Sequence, residues 1–210
     1  MTPIEALDYG GVALFAATGA LAASRNQLDI VGFVFLGAVT GIGGGTVRDL
    51  VLGVPVFWVE EPRYVLVCTL AAVMVYFTAH LIESRARLIL WLDALALAAY
   101  GVFGAHKGLM ETQSATIAIV MGMMTGTLGG IIRDIIANEA SVLLRREIYV
   151  AAAICGAAVF VALLGAGAPV SLAAALGFLM ALVLRGGAIQ FHWRLPAYRS
   201  RPGRPPREPR

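Results

Sequence analysis

Three observations mark this chain as an all-α, polytopic membrane protein with seven transmembrane helices, laid out as two inverted three-helix repeats plus a seventh helix. Its 210 residues are 59% hydrophobic and only 14% charged, and the mean hydropathy of +0.81 exceeds what the core of a soluble domain requires. Apolar stretches of about 20 residues, the length that carries an α-helix across about 30 Å of hydrocarbon, recur along the whole chain. Sliding the sequence by 85 residues lays the first half on the second, with no gap across two helices.

The spans in order are 7–24, 30–53, 63–82, 88–106, 114–137, 147–166 and 170–189. The first begins close to Met1 without a basic leader, so a retained helix is expected there and not a cleaved signal peptide; no appended soluble domain is expected either. Cys68 in the third span and Cys155 in the sixth have neither disulfide nor metal-ligand spacing and are expected to pack as small apolar residues. The seventh span has no counterpart in the repeat and either closes the bundle or returns the C-terminus to the cytoplasm. Beyond it, residues 190–210 hold six arginines against one acid, Glu208, and five prolines (Pro196, Pro202, Pro205, Pro206 and Pro209). That composition predicts a disordered, solvated tail that anchors the C-terminus and can touch anionic lipid headgroups; a nucleic-acid partner is not expected.

Loop arginines orient the chain. Arg25, Arg85, Arg87, Arg145, Arg146 and the tail fall on one side, and little beyond Arg63 and Lys107 on the other. The arginine-rich side is expected to be cytoplasmic, which puts the N-terminus, with Glu5 and Asp8, outside.

The repeat pairs Leu7 with Leu92, Asp8 with Asp93, Phe15 with Tyr100, Gly19 with Gly104 and Tyr64 with Tyr149. It divides the chain into a first repeat at 1–84, a second at 85–169, the seventh helix at 170–189 and the tail at 190–210. Each repeat has an odd number of crossings, so the second enters the membrane from the opposite side. Inverted repeats place solute sites near the midplane, where the repeats meet.

Within the second and fifth spans stand "TGIGGGTVRDLVLG" and "TGTLGGIIRDIIAN". Glycine weakens a helix by up to about 1 kcal/mol relative to alanine. Gly41, Gly43, Gly44 and Gly45, matched by Gly126, Gly129 and Gly130, therefore predict a break or kink in each helix. Broken backbone is tolerated in a bilayer only where protein covers it or water reaches it, so the breaks are expected to line a passage. Thr40, Thr46, Thr125 and Thr127 would add hydroxyls at the same depth. The plainer reading is that glycines let helices pack closely.

Arginine and aspartate in a span each cost about 2.5 to 3.5 kcal/mol when central, so both motifs demand partners or water. Arg48 and Arg133 are expected near opposite mouths, as pore or gating charges with Asp49 and Asp134. Neighbouring residues point about 100° apart on a helix, so Arg48 and Asp49 are not expected to face each other. The spacing leaves open which of each pair lines the passage and which locks a neighbouring helix. Asp8 and Asp93, at matching helix starts, read either as pore-mouth charges or, the preferred reading, as stabilisers of those starts; His80 and His106 are expected to be interfacial, and Met121, Met123 and Met124 to fill the core.

The doubled "GIGGGTVRDL" and "GTLGGIIRDI", followed by a seventh helix, resemble the prokaryotic members of the trimeric intracellular cation (TRIC) channel family. The likeness extends to about Gly187. It implies a homotrimer with a pore in each subunit, kinked at Gly43, Gly44 and Gly45 and at Gly129 and Gly130, that passes monovalent cations, mainly potassium. The second copy has Leu128 where Gly43 stands, so a milder kink is expected there. Related bacterial sequences have also been grouped as glycine transporters, which keeps an alternating-access carrier of a small zwitterion as the alternative. No cofactor is expected beyond permeating potassium or sodium. No enzyme motif such as HExxH or GxSxG is present, and a bacterial inner membrane is the expected location.

Overall fold

The computed structural model describes residues 3–81, 85–141 and 148–196. Arg145, Arg146 and the arginine- and proline-rich segment 197–210 lie outside the described residues. Among the described residues eight α-helices follow one another: α1 (Pro3–Arg25), α2 (Ile30–Leu52), the short α3 (Phe57–Glu60), α4 (Arg63–Thr78, continued by a 3-10 turn at Ala79–Leu81), α5 (Arg85–Thr112), α6 (Ala115–Ile136), α7 (Val150–Gly165) and α8 (Val170–Phe191). Six of the described helices are long and apolar enough to cross a membrane, and α7 is a shorter apolar one. With Val31, Phe35, Leu66, Leu70, Met74 and Phe77 exposed along α2 and α4, the chain is an integral membrane protein.

Local chemistry sets the boundaries. The Asp29 carboxylate accepts from the Gly32 N–H at 2.8 Å to start α2, and Gly53 ends it in the left-handed region at φ 68°. Ser114 caps α6, leaving only Gln113 and Ser114 between α5 and α6. The fourth span, expected at 88–106, is therefore realised as a helix that runs to Thr112. Hydropathy marks the apolar part of a helix, whereas the backbone continues until a turn residue stops it; here Gln113 does so at φ 54°. At the other end Gln190 and Phe191, expected in the tail, complete α8.

Helices α1, α2 and α4 pack on one another, as do α5, α6 and α7, and the two triplets meet along α1–α5 and α2–α6, with α8 against α7 and α5. The triplet meeting is reciprocal. A Cβ at Gly44 would stand 2.5 Å from the Thr125 carbonyl oxygen, and one at Gly129 would stand 2.6 Å from that of Thr40. Gly44 and Gly129 are equivalent in the repeat, and so are Thr40 and Thr125, so this crossing marks a pseudo-two-fold axis with α2 and α6 antiparallel.

The breaks expected at the glycines do not occur. Helix α2 is continuous from Ile30 to Leu52 and α6 from Ala115 to Ile136, through Gly43 and Leu128 alike. Opening either helix would take amide groups out of their ladder where neighbouring backbone packs closely, at several kcal/mol each, which outweighs the glycine penalty. Close approach is what the glycines provide instead. Gly41 lies against Cys68 and Val12, Gly126 against Leu97 and Gly101, Gly45 under the Phe57 ring, and Gly130 under Tyr149 and Asp93. Gly43 has the Ile132 side chain beside it.

Candidate functional site: two buried charge clusters

The bundle has a near end, where α1 begins, and a far end, where α1 finishes. Arg48 is one helical turn beyond Gly44 and Arg133 one turn beyond Gly129. At 1.5 Å per residue each is about 9 Å from the centre of the crossing, on opposite sides.

At the near end Arg48 and Asp49 are fully buried. They bind each other, Arg48 Nε donating to Asp49 Oδ1 at 2.8 Å. Lys107 Nζ reaches the same carboxylate oxygen at 2.9 Å, and the Phe57 N–H donates to Oδ2 at 3.0 Å. The Arg48 guanidinium lies between the rings of Phe57 and Phe103, at 5.6 and 5.1 Å from their centroids. Asp8 Oδ2 accepts a hydrogen bond from the Tyr64 hydroxyl.

The far end holds the equivalent residues. Arg133 donates through Nε and Nη2 to Asp134 Oδ1, at 3.0 and 2.8 Å, and through Nη1 to Asp93 Oδ1 at 2.8 Å and Thr18 Oγ1 at 2.9 Å. Arg185, fully buried on α8, sits with its guanidinium carbon 5.1 Å from the Tyr149 ring centroid.

Three expectations are corrected here. Adjacent Arg–Asp residues do pair, because the long arginine stem curls back across the 100° between neighbours and burial leaves the two charges a strong incentive to meet. Asp8 and Asp93 lie beyond the first turn of their helices and are buried and hydrogen-bonded to Tyr64 and Arg133, not stabilisers of helix ends. The threonines present no free row of hydroxyls. Thr40, Thr46, Thr125 and Thr127 each donate to the carbonyl four residues earlier, at 2.6 to 2.8 Å, and Thr40 and Thr125 at the crossing are fully buried. Only Thr46 is engaged by another side chain, accepting from Trp58 Nε1 at 2.9 Å.

Sequence reasoning placed Lys107 in a loop, yet it belongs to α5 and answers Asp49. It passed over Arg185, although a lone arginine within α8 was the available signal. Of the cysteines, Cys68 is buried as expected, whereas Cys155 is exposed on the apolar surface of α7. Met121 is in the core, and His106 rests edge-on to Phe160 at 6.0 Å between centroids.

Each cluster thus contains two carboxylates and two cations. The repeat supplies Arg48, Asp49 and Asp8 at one end and Arg133, Asp134 and Asp93 at the other. The second cation breaks the symmetry: Lys107 comes from the partner repeat, and Arg185 from the unpaired α8.

Over the near cluster opens a cleft of about 510 Å³ lined by Asp8, Phe57, Glu60, Glu61, Arg63, Tyr64, Phe103 and Lys107. A more apolar cavity of about 550 Å³ adjoins it through Phe103 and Lys107.

The family profile described as "Glycine transporter" matches the chain twice, over residues 5–80 and 90–165, the same offset as the internal repeat. A UPF0126 membrane protein of Vibrio cholerae is 40% identical over 197 residues, covering 91% of this chain and 81% of that protein. The UPF0126 inner membrane protein YadS of Escherichia coli is 38% identical, covering 91% and 94%. Among solved structures, the TRIC trimeric intracellular cation channel orthologue from Rhodobacter sphaeroides is 52% identical with a TM-score of 0.90, covering 92% of this chain and all of that one. A second TRIC cation channel structure is 28% identical with a TM-score of 0.84, covering 96% and 100%. Repeat, fold and sequence agree: this chain matches the glycine-transporter profile and the UPF0126 membrane proteins over most of its length, and it belongs to the prokaryotic TRIC channel family.

Proposed function

We propose that the protein is a cation channel that assembles as a homotrimer, with a passage for potassium through each subunit along the α2–α6 crossing. One observation carries the reading: two formally neutral charge clusters are buried on opposite sides of a glycine-packed helix crossing. Buried ionisable groups are costly in a bilayer, and a pair of such clusters at matched depths fits the two ends of an ion path. Support comes also from the relatives, described as trimeric intracellular cation channels, one of them studied in potassium chloride. The conformation described has a tight crossing, so conduction requires α2 and α6 to shift against each other. Bare backbone at Gly44 and Gly129 permits such sliding without side-chain interlock.

In this reading the near end faces out and the far end the cytoplasm, the C-terminal arginines holding that end inside and meeting anionic headgroups. The arginines do not oppose cation passage because Asp49 and Asp134 neutralise them locally.

A second reading, a carrier of a small zwitterion, is favoured by the family's description and by opposite charges at one cleft. Recording from purified protein in a planar bilayer separates the two. Discrete unitary currents in potassium chloride support the channel; saturable glycine uptake without unitary steps supports the carrier.

A further inference from the structure

The two clusters are built from equivalent residues, yet they hold their outer carboxylates differently. Asp93 is bound by a guanidinium, Arg133 Nη1 standing 2.8 Å from its Oδ1. The equivalent pair at the near end, Asp8 and Arg48, makes no such bond. Asp8 Oδ1 and both terminal nitrogens of Arg48 find no hydrogen-bond partner among the described residues. Asp8 is held only at Oδ2, by the neutral Tyr64 phenol. Asp93 also has an unbonded oxygen, Oδ2, but its charge is already met by a cation. The other cations at the near cleft are committed elsewhere, Lys107 to Asp49 and Arg63 to Glu61.

Position adds to this contrast. Asp8 is 4% exposed and lines the 510 Å³ cleft, with Glu60 and Glu61 on the same wall. Arg48 does not line it, being screened by Phe57 and Phe103, which do. The result is a carboxylate in the wall of a cleft with one buried oxygen unmatched, in the same cluster as an arginine that lies against two aromatic rings and does not bond it.

We propose that Asp8 is the binding residue of a site for one small monovalent cation in the near-end cleft, and that Arg48 is its built-in competitor. The Asp8 oxygen and the lone pair of the Tyr64 phenol are the protein donors, with water completing the shell. A single buried carboxylate suits a monovalent ion, since calcium takes six to eight oxygens with several carboxylates among them. When Arg48 moves past Phe57 and Phe103 onto Asp8, it forms the bridge that Arg133 and Asp93 already show and expels the ion. The far-end pair is the same site in its shut state. The proposal rests on the cation-channel reading for the ion's identity, but ion binding itself is measurable without conduction.

The test uses thallous ion as a potassium mimic, with the full-length protein in detergent, by equilibrium binding and by anomalous diffraction from soaked crystals. Wild type is expected to show a thallium peak beside Asp8 and none beside Asp93. Asp8→Asn, which keeps an acceptor for Tyr64, is expected to lose the peak while eluting as the wild type does. Arg48→Gln is expected to bind thallium about tenfold more tightly, the competing charge being gone. Absence of thallium at Asp8 in both wild type and Arg48→Gln, a peak that survives Asp8→Asn, or unchanged affinity in Arg48→Gln would each overturn the proposal. Thallium at Asp8 without bilayer current would leave the site standing and remove the channel reading; current without thallium at Asp8 would do the reverse.

Discussion

Gly44 lies under Thr125 so closely that a methyl group there would stand 2.5 Å from the carbonyl oxygen, a distance backbone atoms do not accept. Gly44→Ala and Gly129→Ala are therefore expected to push α2 and α6 apart, costing about 1–3 kcal/mol each. Gly10→Ala, with nothing within 4 Å, is the matched control and is expected to be neutral or slightly stabilising. Unfolding in mixed micelles ranks the three. Equal stability for all of them would mean that the crossing is not tightly packed.

The arginines are expected to differ in what their loss costs. Arg133→Gln removes the guanidinium that meets both Asp93 and Asp134 at 2.8 Å, and a cost of about 3–5 kcal/mol is expected. In Arg48→Gln, Asp49 keeps Lys107 and the Phe57 N–H, so about 1–3 kcal/mol is expected. The same unfolding assay checks the order; a larger loss in Arg48→Gln would contradict it.

The threonine hydroxyls are turned to their own helices. Replacing Thr40 or Thr125 by valine removes a bond to a carbonyl that the helix already uses, and is expected to change stability by no more than about 1 kcal/mol. Unitary potassium conductance of both variants should equal that of wild type. A marked fall would mean that these oxygens face the ion after all.

Arg25 and Glu139 join the end of α1 to the segment after α6 at 2.9 Å, but both are partly exposed, at 40% and 20%. Arg25→Ala is expected to cost less than about 1 kcal/mol and to cost less still at high salt. A double-mutant cycle with Glu139→Gln measures the pair directly.

The bundle was legible because membrane helices announce themselves by length and hydropathy, and the inversion because Arg48–Asp49 and Arg133–Asp134 stand 85 residues apart. Helix continuity was not. Propensity argued for breaks at Gly43 to Gly45, but propensity is measured in water, where an opened amide finds a partner; in hydrocarbon the helix is the cheaper state. Pairing within each Arg–Asp motif was hidden because helical spacing fixes where a side chain leaves the backbone, not where a long one ends. Lys107 and Arg185 were hidden because they have no charged repeat mates: Lys107 is matched by Ala22 and Arg185 lies on the unpaired seventh helix, so the comparison of halves that exposed the other charges passed over them.

The most direct test of the central claim is the reversal potential of the purified protein in a planar bilayer across a tenfold potassium chloride gradient. Cation passage between the two clusters predicts a reversal close to the potassium Nernst value of about 59 mV, with discrete steps. Reversal at zero, reversal at the chloride value, or saturable transport with no unitary current would contradict it.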